Sequence, residues 1–282
     1  MKNLPTLVTP EWWVQHADQP LQFVDARFFL PTEERDAAAE FAQAHLPGAV
    51  FFDIDAVNDR STPLPHMLPP PEAFCQFMHT LGINSRDPII CYDEGGLMGA
   101  CRAWWTFRVY GHETVAVLDG GLPAWQAAGL PITTGPTQRP HTSVPFIAKF
   151  HPERLAVLAT VRAALQQHSA QVIDARSAER FAGQAPEPRP GLRSGHMPGA
   201  INIPFTDVIT PQGFLADPTH LQAVFTAAGI DLHRPIITSC GSGVSAAVLL
   251  LALDRLGHRQ LALYDGSWAE WAARDDTPIV QG

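Results

Sequence analysis

Short runs of apolar, largely β-branched residues recur along the chain and predict buried strands. In the first half these runs are QFVDA, AVFFD, PIICY and TVAVLD. Such continuous apolar runs are typical of strands covered on both faces. Helical stretches separate them: Pro71–Gly82, Gly99–Tyr110 and Leu122–Ala128, then Pro218–Gly229, Gly243–Leu256 and Ser267–Arg274. This alternation predicts an α/β fold whose mostly parallel sheets carry helices on both faces.

The pattern occurs twice. FVDAR at 23–27 returns as VIDAR at 172–176, and HLPGA at 45–49 returns as HMPGA at 196–200. The tripeptide PII occurs at 88–90 and again at 235–237. The segment LDGG, followed by Trp125, returns as YDGS, followed by Trp271. Four ordered matches at nearly constant spacing indicate a tandem duplication of a domain-sized unit. We expect one domain at 1–135, a turn-rich linker at 136–150 and a second domain at 151–282.

Composition and charge exclude several classes of protein. The formal charge is −9 and no basic stripe is visible, so nucleic-acid binding is not expected. The longest apolar stretch, Ala246 to Leu253, is too short to cross a membrane, and the N-terminal residues do not resemble a signal peptide. The four cysteines form no C-x-x-C pair, which argues against a metal site. We expect a cytoplasmic protein, monomeric by default.

The two copies differ at one chemically important position. Aligned on Pro-Ile-Ile, Asp93 of the first copy matches Cys240 of the second. Cys240 opens the segment CGSGVSA between a strand and an apolar helix, where its glycines let successive N–H groups turn inward as an anion-binding nest. The helix dipole adds to this effect, so we expect a lowered pKa for the Cys240 thiol. The alternative, a small buried packing residue, is our interpretation of Cys75, Cys91 and Cys101.

With these residues in view, the chain resembles the rhodanese-like sulfurtransferases in their tandem two-domain form, over essentially its whole length. The repeated His-x-Pro-Gly-Ala and Asp-Gly-[Gly/Ser]…Trp segments are similar to signatures of that family. The resemblance implies a catalytically silent first copy, with Asp93, and a second copy that carries the reactive Cys240 in a six-residue loop. It also implies that sulfur travels on the cysteine itself, without a cofactor or metal.

The loop sequence bears on the sulfur donor. Family members that use thiosulfate typically carry two basic residues directly after the cysteine, whereas this chain has Gly241 and Ser242. The neutral loop is similar to that of members acting on 3-mercaptopyruvate, with Ser245 in place of the usual Thr. The resemblance therefore implies that residues 241–245 (Gly241, Ser242, Gly243, Val244 and Ser245) bind the substrate.

A keto-acid donor also needs a cationic partner for its carboxylate. Planar, forked guanidinium groups suit this task. The stretch from Glu179 to Arg189 is similar to the family's substrate-binding segment and places Arg180 and Arg189 at its two arginines. Arg193 is a weaker third candidate. The alternative for each is a solvated surface charge.

A proton relay is implied by the same resemblance. Asp55 and His66 match an acid and a histidine that are proposed, together with Ser242, to form a relay like that of serine proteases. Histidine suits proton transfer near neutral pH, and an acid can orient it. The alternative is structural, because the chain has 12 histidines and most must be ordinary.

These inferences predict a transferase that moves the sulfur of 3-mercaptopyruvate through a Cys240 persulfide to a small thiol, cyanide or reduced thioredoxin, and releases pyruvate. Two alternatives remain on the same fold: a thiosulfate:cyanide sulfurtransferase and a non-catalytic binding module. A cysteine-dependent phosphatase is disfavoured, because it needs an arginine six residues after the cysteine, where this chain has Ala246.

Overall fold

A computed structural model of the chain describes residues 4–137 and 144–282. The chain divides into two compact units that exchange short segments. The first unit comprises Met1–Arg60, Leu68–His151 and Pro211–Leu215; the second comprises Ser61–Met67, Pro152–Thr210 and Ala216–Gly282. The boundaries 1–135, 136–150 and 151–282 stay a prediction, and residues 138–143 of the predicted linker lie outside the described residues.

The first unit is a parallel five-stranded sheet flanked by helices. Its strands are β1 (Leu7–Val8), β2 (Gln22–Asp25), β3 (Val50–Phe51), β4 (Ile89–Tyr92) and β5 (Val115–Leu118), in the order β1-β5-β4-β2-β3. Its α-helices are α1 (Pro10–Val14), α2 (Ala37–Gln43), α3 (Pro71–Thr80), α4 (Met98–Val109) and α5 (Gly121–Ala127).

The second unit repeats this architecture. Its strands are β6 (Leu155–Ala156), β7 (Gln171–Asp174), β8 (Ile201–Asn202), β9 (Ile236–Ser239) and β10 (Leu261–Tyr264), in the order β6-β10-β9-β7-β8. Its α-helices are α6 (Leu158–Gln167), α7 (Ala178–Phe181), α8 (Pro218–Ala227), α9 (Ala246–Arg255) and α10 (Ser267–Ala272). The same strand order with all neighbours parallel confirms the predicted duplication of one α/β unit.

The apolar strand runs are buried on both faces of the sheet. In the first unit Phe23 and Ile90 pack with Trp125 in one core cluster. Their sequence neighbours Val24 and Cys91 are fully buried as well, and side chains alternate between the two faces of a strand. Continuous burial explains why these strands show no alternation of polar and apolar residues.

Helix α9 begins three residues later than predicted. The sequence pattern places its start at Gly243, but Gly243 has a φ of +76° and belongs to the preceding loop. A left-handed residue cannot continue a right-handed helix, so the helix starts at Ala246. From Ala246 to Asp254 every residue is buried, and α9 therefore forms a fixed support behind the loop.

Three of the four cysteines occupy packing environments. Cys91 and Cys101 are fully buried, and burial raises the pKa of both thiols well above the ordinary value. Cys75 lies half-buried on α3. Cys91 and Cys101 are thus kept protonated, which suits the predicted packing role.

Across residues 4–137 and 144–282, no helix has the length and apolar character needed to cross a membrane. The same described residues contain no group of three or more His, Cys, Asp or Glu side chains able to hold a metal ion.

Candidate active site

The loop that starts at Cys240 lies at the carboxyl end of β9 and leads into α9. Cys240 is 2% exposed, and Ser242, Gly243 and Val244 are buried with it. In parallel α/β sheets this edge is where ligands bind, because loops and helix N-termini converge there. The local sequence explains the shape: an apolar strand ends, glycine permits the turn at 243, and an apolar helix begins.

The backbone of Cys240 is anchored by the start of α10. Its N–H donates to Ser267 Oγ at 3.2 Å, and its carbonyl accepts from the N–H of Trp268 at 2.9 Å. The Ser267 hydroxyl in turn donates to the carbonyl oxygen of Tyr264 at 2.7 Å. These bonds hold the cysteine between two strand ends, β9 and β10.

Sequence reasoning missed Ser267. This fully buried residue has a φ of +49°, a conformation that is costly for a side chain with a Cβ. The first copy has Gly121 at the matching position, with a φ of +55°. A serine where the duplicate carries glycine is the signal that could have identified it.

His66 belongs to the second unit although it precedes that unit's main segment by many residues. Its Nδ1 atom lies 3.1 Å from Ser242 Oγ and 3.2 Å from the Ser242 carbonyl oxygen. The imidazole is 2% exposed, and the residue has a φ of +60°. Of the predicted relay, His66 and Ser242 are therefore brought together.

Arg189 reaches the same hydroxyl. Its Nη1 donates to Ser242 Oγ at 3.3 Å. Since a guanidinium group can only donate, Ser242 is the acceptor of this bond. Ser242 thus joins a predicted substrate-binding arginine to a predicted proton-transfer histidine.

Arg180 lies beside Gly241 of the same loop. The Nη2 atom of Arg180 is 2.9 Å from the position that a Cβ atom on Gly241 would occupy. That same Nη2 donates to Glu187 Oε2 at 2.5 Å. The Nε atom of Arg180 is buried and has no partner among the described residues, so one N–H of the guanidinium remains for a ligand.

Glu187, which sequence reasoning also missed, connects Arg180 to a structural ion pair. Its Oε1 accepts from Arg176 Nη1 at 2.8 Å, and its side chain is 2% exposed. Arg176 is itself paired with Asp174 at 2.7 Å. A glutamate between two arginines in a proline-rich loop was the available signal, because a buried carboxylate needs such partners.

The two remaining candidates are Asp55 and Arg193. Asp55 belongs to the first unit, where its side chain is exposed and its backbone N–H donates to Asp53 Oδ1 at 2.9 Å. Arg193 uses its guanidinium on the end of α10, with Nε donating to the carbonyl of Ala272 at 3.0 Å and Nη2 to Thr277 Oγ1 at 2.8 Å. We therefore do not retain Arg193 as a substrate-binding residue.

The matching loop of the first unit holds a buried carboxyl group in place of the cysteine. Asp93 is buried, and its carboxylate accepts from the N–H groups of Gly95 at 3.0 Å and Ala100 at 3.2 Å. Burial raises the pKa of Asp93, and burial together with the Asp93 charge raises the pKa of Glu94 to about 8. In the first copy a carboxyl side chain of the protein thus accepts from N–H groups of the loop and of the helix that follows it.

A parallel α/β unit present twice, with one copy carrying a buried cysteine in a strand-to-helix loop, is the arrangement of two-domain rhodanese-like proteins. Residues 9–128 and 157–274 both match the Rhodanese-like domain family. The chain belongs to this family, as the sequence motifs predicted.

Several relatives with this architecture carry a more specific name. The chain is 47% identical to the 3-mercaptopyruvate sulfurtransferase of Escherichia coli K12, over 96% of both chains. It is 39% identical to the human 3-mercaptopyruvate sulfurtransferase, covering 98% of this chain and 95% of the relative. Among solved structures, the rhodanese-fold protein SseA from E. coli superposes with a TM-score of 0.86 at 44% identity, covering 94% of this chain and 99% of SseA.

Proposed function

We propose that the protein is a 3-mercaptopyruvate sulfurtransferase that carries sulfur on Cys240. The observation that carries this proposal is that Cys240 starts a neutral loop with two arginines against it, Arg180 beside Gly241 and Arg189 on Ser242. The similarity to sulfurtransferases of that name over nearly the whole chain supports it.

The first half-reaction forms a persulfide. The Cys240 thiolate attacks the thiol sulfur of 3-mercaptopyruvate, a new S–S bond forms and the C–S bond of the donor breaks. The electron pair of that bond leaves with pyruvate, first as its enolate. The N–H groups of residues 241–245 and the N-terminal end of α9 stabilise the negative charge on the terminal persulfide sulfur.

The two arginines bind and orient the donor. Arg180 lies beside Gly241 and Arg189 donates to Ser242, so the carboxylate and keto oxygens of one small molecule can be bound by both arginines. Each guanidinium can give charge-assisted hydrogen bonds to these oxygens. Holding the donor at both ends aligns its sulfur with Cys240.

His66 and Ser242 move the proton. The enolate of pyruvate must gain on carbon the proton that the donor thiol loses when its sulfur becomes the anionic end of the persulfide. The contact between His66 Nδ1 and Ser242 Oγ provides a path for this proton between the loop and the imidazole. Asp55 remains the predicted acid that orients the histidine. In this scheme Arg189 keeps the Ser242 hydroxyl oriented by donating to its oxygen.

The second half-reaction returns Cys240 to its thiolate. A nucleophile attacks the outer sulfur of the persulfide, and the S–S electron pair returns to Cys240. We propose small thiols, cyanide or reduced thioredoxin as acceptors, because the outer sulfur takes any soft nucleophile that reaches it. Since protein sulfur alone carries the group, the cycle needs no cofactor. We further propose that the protein acts as a cytoplasmic monomer.

Intact-mass spectrometry after treatment with 3-mercaptopyruvate tests the proposal. The protein should gain one sulfur, about 32 Da, and lose it on addition of thiol or cyanide. Cys240→Ser is the control and should gain nothing and release no pyruvate. Wild-type protein without the mass gain, or pyruvate release by Cys240→Ser, would contradict the mechanism.

The same samples address the alternative donor. A thiosulfate:cyanide sulfurtransferase would have a higher kcat/KM for thiosulfate than for 3-mercaptopyruvate. We expect the opposite order of kcat/KM, because the two residues directly after Cys240, Gly241 and Ser242, are neutral.

A further inference from the structure

A row of four alternating charges leads from the sheet to the Cys240 loop. Asp174 pairs with Arg176 at 2.7 Å, Arg176 with Glu187 at 2.8 Å, and Glu187 with Arg180 at 2.5 Å. The first three side chains are at most 2% exposed, and that of Arg180 is 22% exposed. In this environment a carboxylate holds its arginine partners in defined positions, because an unpaired buried charge is costly.

Comparing the two units shows which ion pair of this row both of them contain. In the first unit Arg27 pairs with Asp25 at 2.6 Å and donates to the carbonyl of Ala44 at 2.8 Å. In the second unit Arg176 likewise pairs with Asp174 and donates to the carbonyl of Gly195 at 2.8 Å. The silent copy thus shares the aspartate–arginine pair, and Glu187 extends it to Arg180.

The position of Arg180 explains why residue 241 is a glycine, without a side chain. Its φ lies outside the left-handed region, so the backbone conformation does not demand glycine. A Cβ atom there would lie 2.9 Å from Arg180 Nη2, closer than non-bonded atoms approach. The end of the Arg180 side chain, which is paired with Glu187, would have to shift to admit it. The space beside Cys240 is thus occupied by Arg180 instead of a side chain on residue 241.

We propose that Glu187, Arg180 and Gly241 act together to select the sulfur donor. Glu187 is the positioning residue: it binds one edge of the Arg180 guanidinium and leaves the buried, unpartnered Nε side for the carboxylate of the donor. Gly241 keeps the space that Arg180 fills. This inference rests on the proposed function for the identity of the donor.

A pair of alkylating agents tests the inference independently of sulfur transfer. Iodoacetate carries a carboxylate and iodoacetamide is its neutral counterpart, so the ratio of their rates at Cys240 reports on Arg180. In Glu187→Gln the amide can accept from only one of the two arginines. We expect the ratio, read by peptide mass spectrometry at Cys240, to fall about fivefold or more, while the iodoacetamide rate stays within twofold.

Glu40→Gln is the matched control, because Glu40 also pairs with an arginine, Arg35, but lies in the first unit. It should leave the ratio unchanged. A Glu187→Gln protein with an unchanged or higher ratio overturns the inference. So does an equal fall of both rates, which would indicate a general disturbance of the loop.

Two further variants keep the test decisive if Glu187→Gln folds poorly. Gly241→Ala should lower the same ratio by displacing Arg180 directly. In an Arg180→Gln background, Glu187→Gln should add no further change to the alkylation ratio.

Steady-state kinetics with 3-mercaptopyruvate give a second readout. Glu187→Gln should raise KM about tenfold, equivalent to about 1.4 kcal/mol, and change kcat less. Wild-type protein that takes no sulfur from 3-mercaptopyruvate defeats the proposed function, whereas normal wild-type transfer with an unchanged Glu187→Gln ratio defeats only this inference.

Discussion

The Nδ1 atom of His66 lies 3.1 Å from the hydroxyl oxygen of Ser242, although 176 residues separate them in the sequence. The contact exists because residues Ser61–Met67 pack within the second compact unit while the residues before and after them belong to the first. The unit that contains Cys240 thus takes this histidine from the first half of the chain.

His66→Asn tests whether this histidine transfers protons. Asparagine tolerates the φ of +60° better than most residues and can place an amide N–H near the position of Nδ1, so the fold should be kept. It cannot exchange a proton near neutral pH. We expect kcat/KM for pyruvate release to fall about 100-fold. A variant with wild-type kcat/KM from pH 5.5 to 9 would make His66 a structural residue.

Ser267 offers a test that separates backbone strain from hydrogen bonding. Ser267→Ala keeps the left-handed Cβ and removes the hydroxyl that bonds to Cys240 and Tyr264, which should cost about 1–3 kcal/mol of unfolding free energy. Ser267→Gly loses the same bonds but relieves the strained backbone, by about 1 kcal/mol. We expect stability in the order wild type, glycine variant, alanine variant, measured by urea denaturation.

Both Ser267 variants should also lower kcat/KM, because the Cys240 backbone loses its anchor. If alanine is as stable as serine and as active, the hydroxyl has no part in holding the cysteine.

A cysteine introduced at position 93, in the matching loop of the first unit, should take up no sulfur. In a Cys240→Ser background, Asp93→Cys restores the residue type but lies next to Glu94, which repels an anionic donor once ionised. The position that matches Arg180, at the same offset from the repeated strand, is Pro31. We expect no gain of about 32 Da after treatment with 3-mercaptopyruvate. A persulfide in this double variant would mean that the cysteine loop alone is sufficient.

Glu94 should make stability fall as pH rises. Burial and the neighbouring Asp93 raise the pKa of Glu94 to about 8, whereas in the unfolded chain it ionises near its ordinary value. Between these two pKa values the folded chain holds a proton that the unfolded chain has lost, so the unfolding free energy decreases towards pH 8. Glu94→Gln has no such group to ionise. The difference in unfolding free energy between this variant and wild type should therefore favour the variant more at pH 8 than at pH 5, by at least about 1 kcal/mol.

Glu40→Gln is the control for this pH dependence. Arg35 lowers the pKa of Glu40, so Glu40 is ionised in both folded and unfolded chains at pH 5 and at pH 8. Its substitution should change the unfolding free energy equally at the two pH values. The same behaviour in Glu94→Gln would refute the raised pKa.

The sequence by itself determined the α/β units and their duplication, and it singled out Cys240 as the candidate reactive cysteine. These features rest on local patterns, namely apolar strands buried on both faces and a glycine-containing turn before an apolar helix, and the duplicate supplied an internal comparison that singled out Cys240 against Asp93. The start of α9 was wrong by three residues, because apolar periodicity does not register the left-handed φ of Gly243.

Only the tertiary structure decided which distant groups surround the cysteine. Ser267 and Glu187 belong to no periodic pattern, and their importance comes from contacts with Cys240 and Arg180 that form only when the strand ends and loops converge. His66 matched a family relay in sequence, but its contact with Ser242 depends on the exchange of a short segment between the compact units. Burial and hydrogen bonding between residues far apart in the chain are properties of the packed state, and a linear pattern of side chains does not encode them directly.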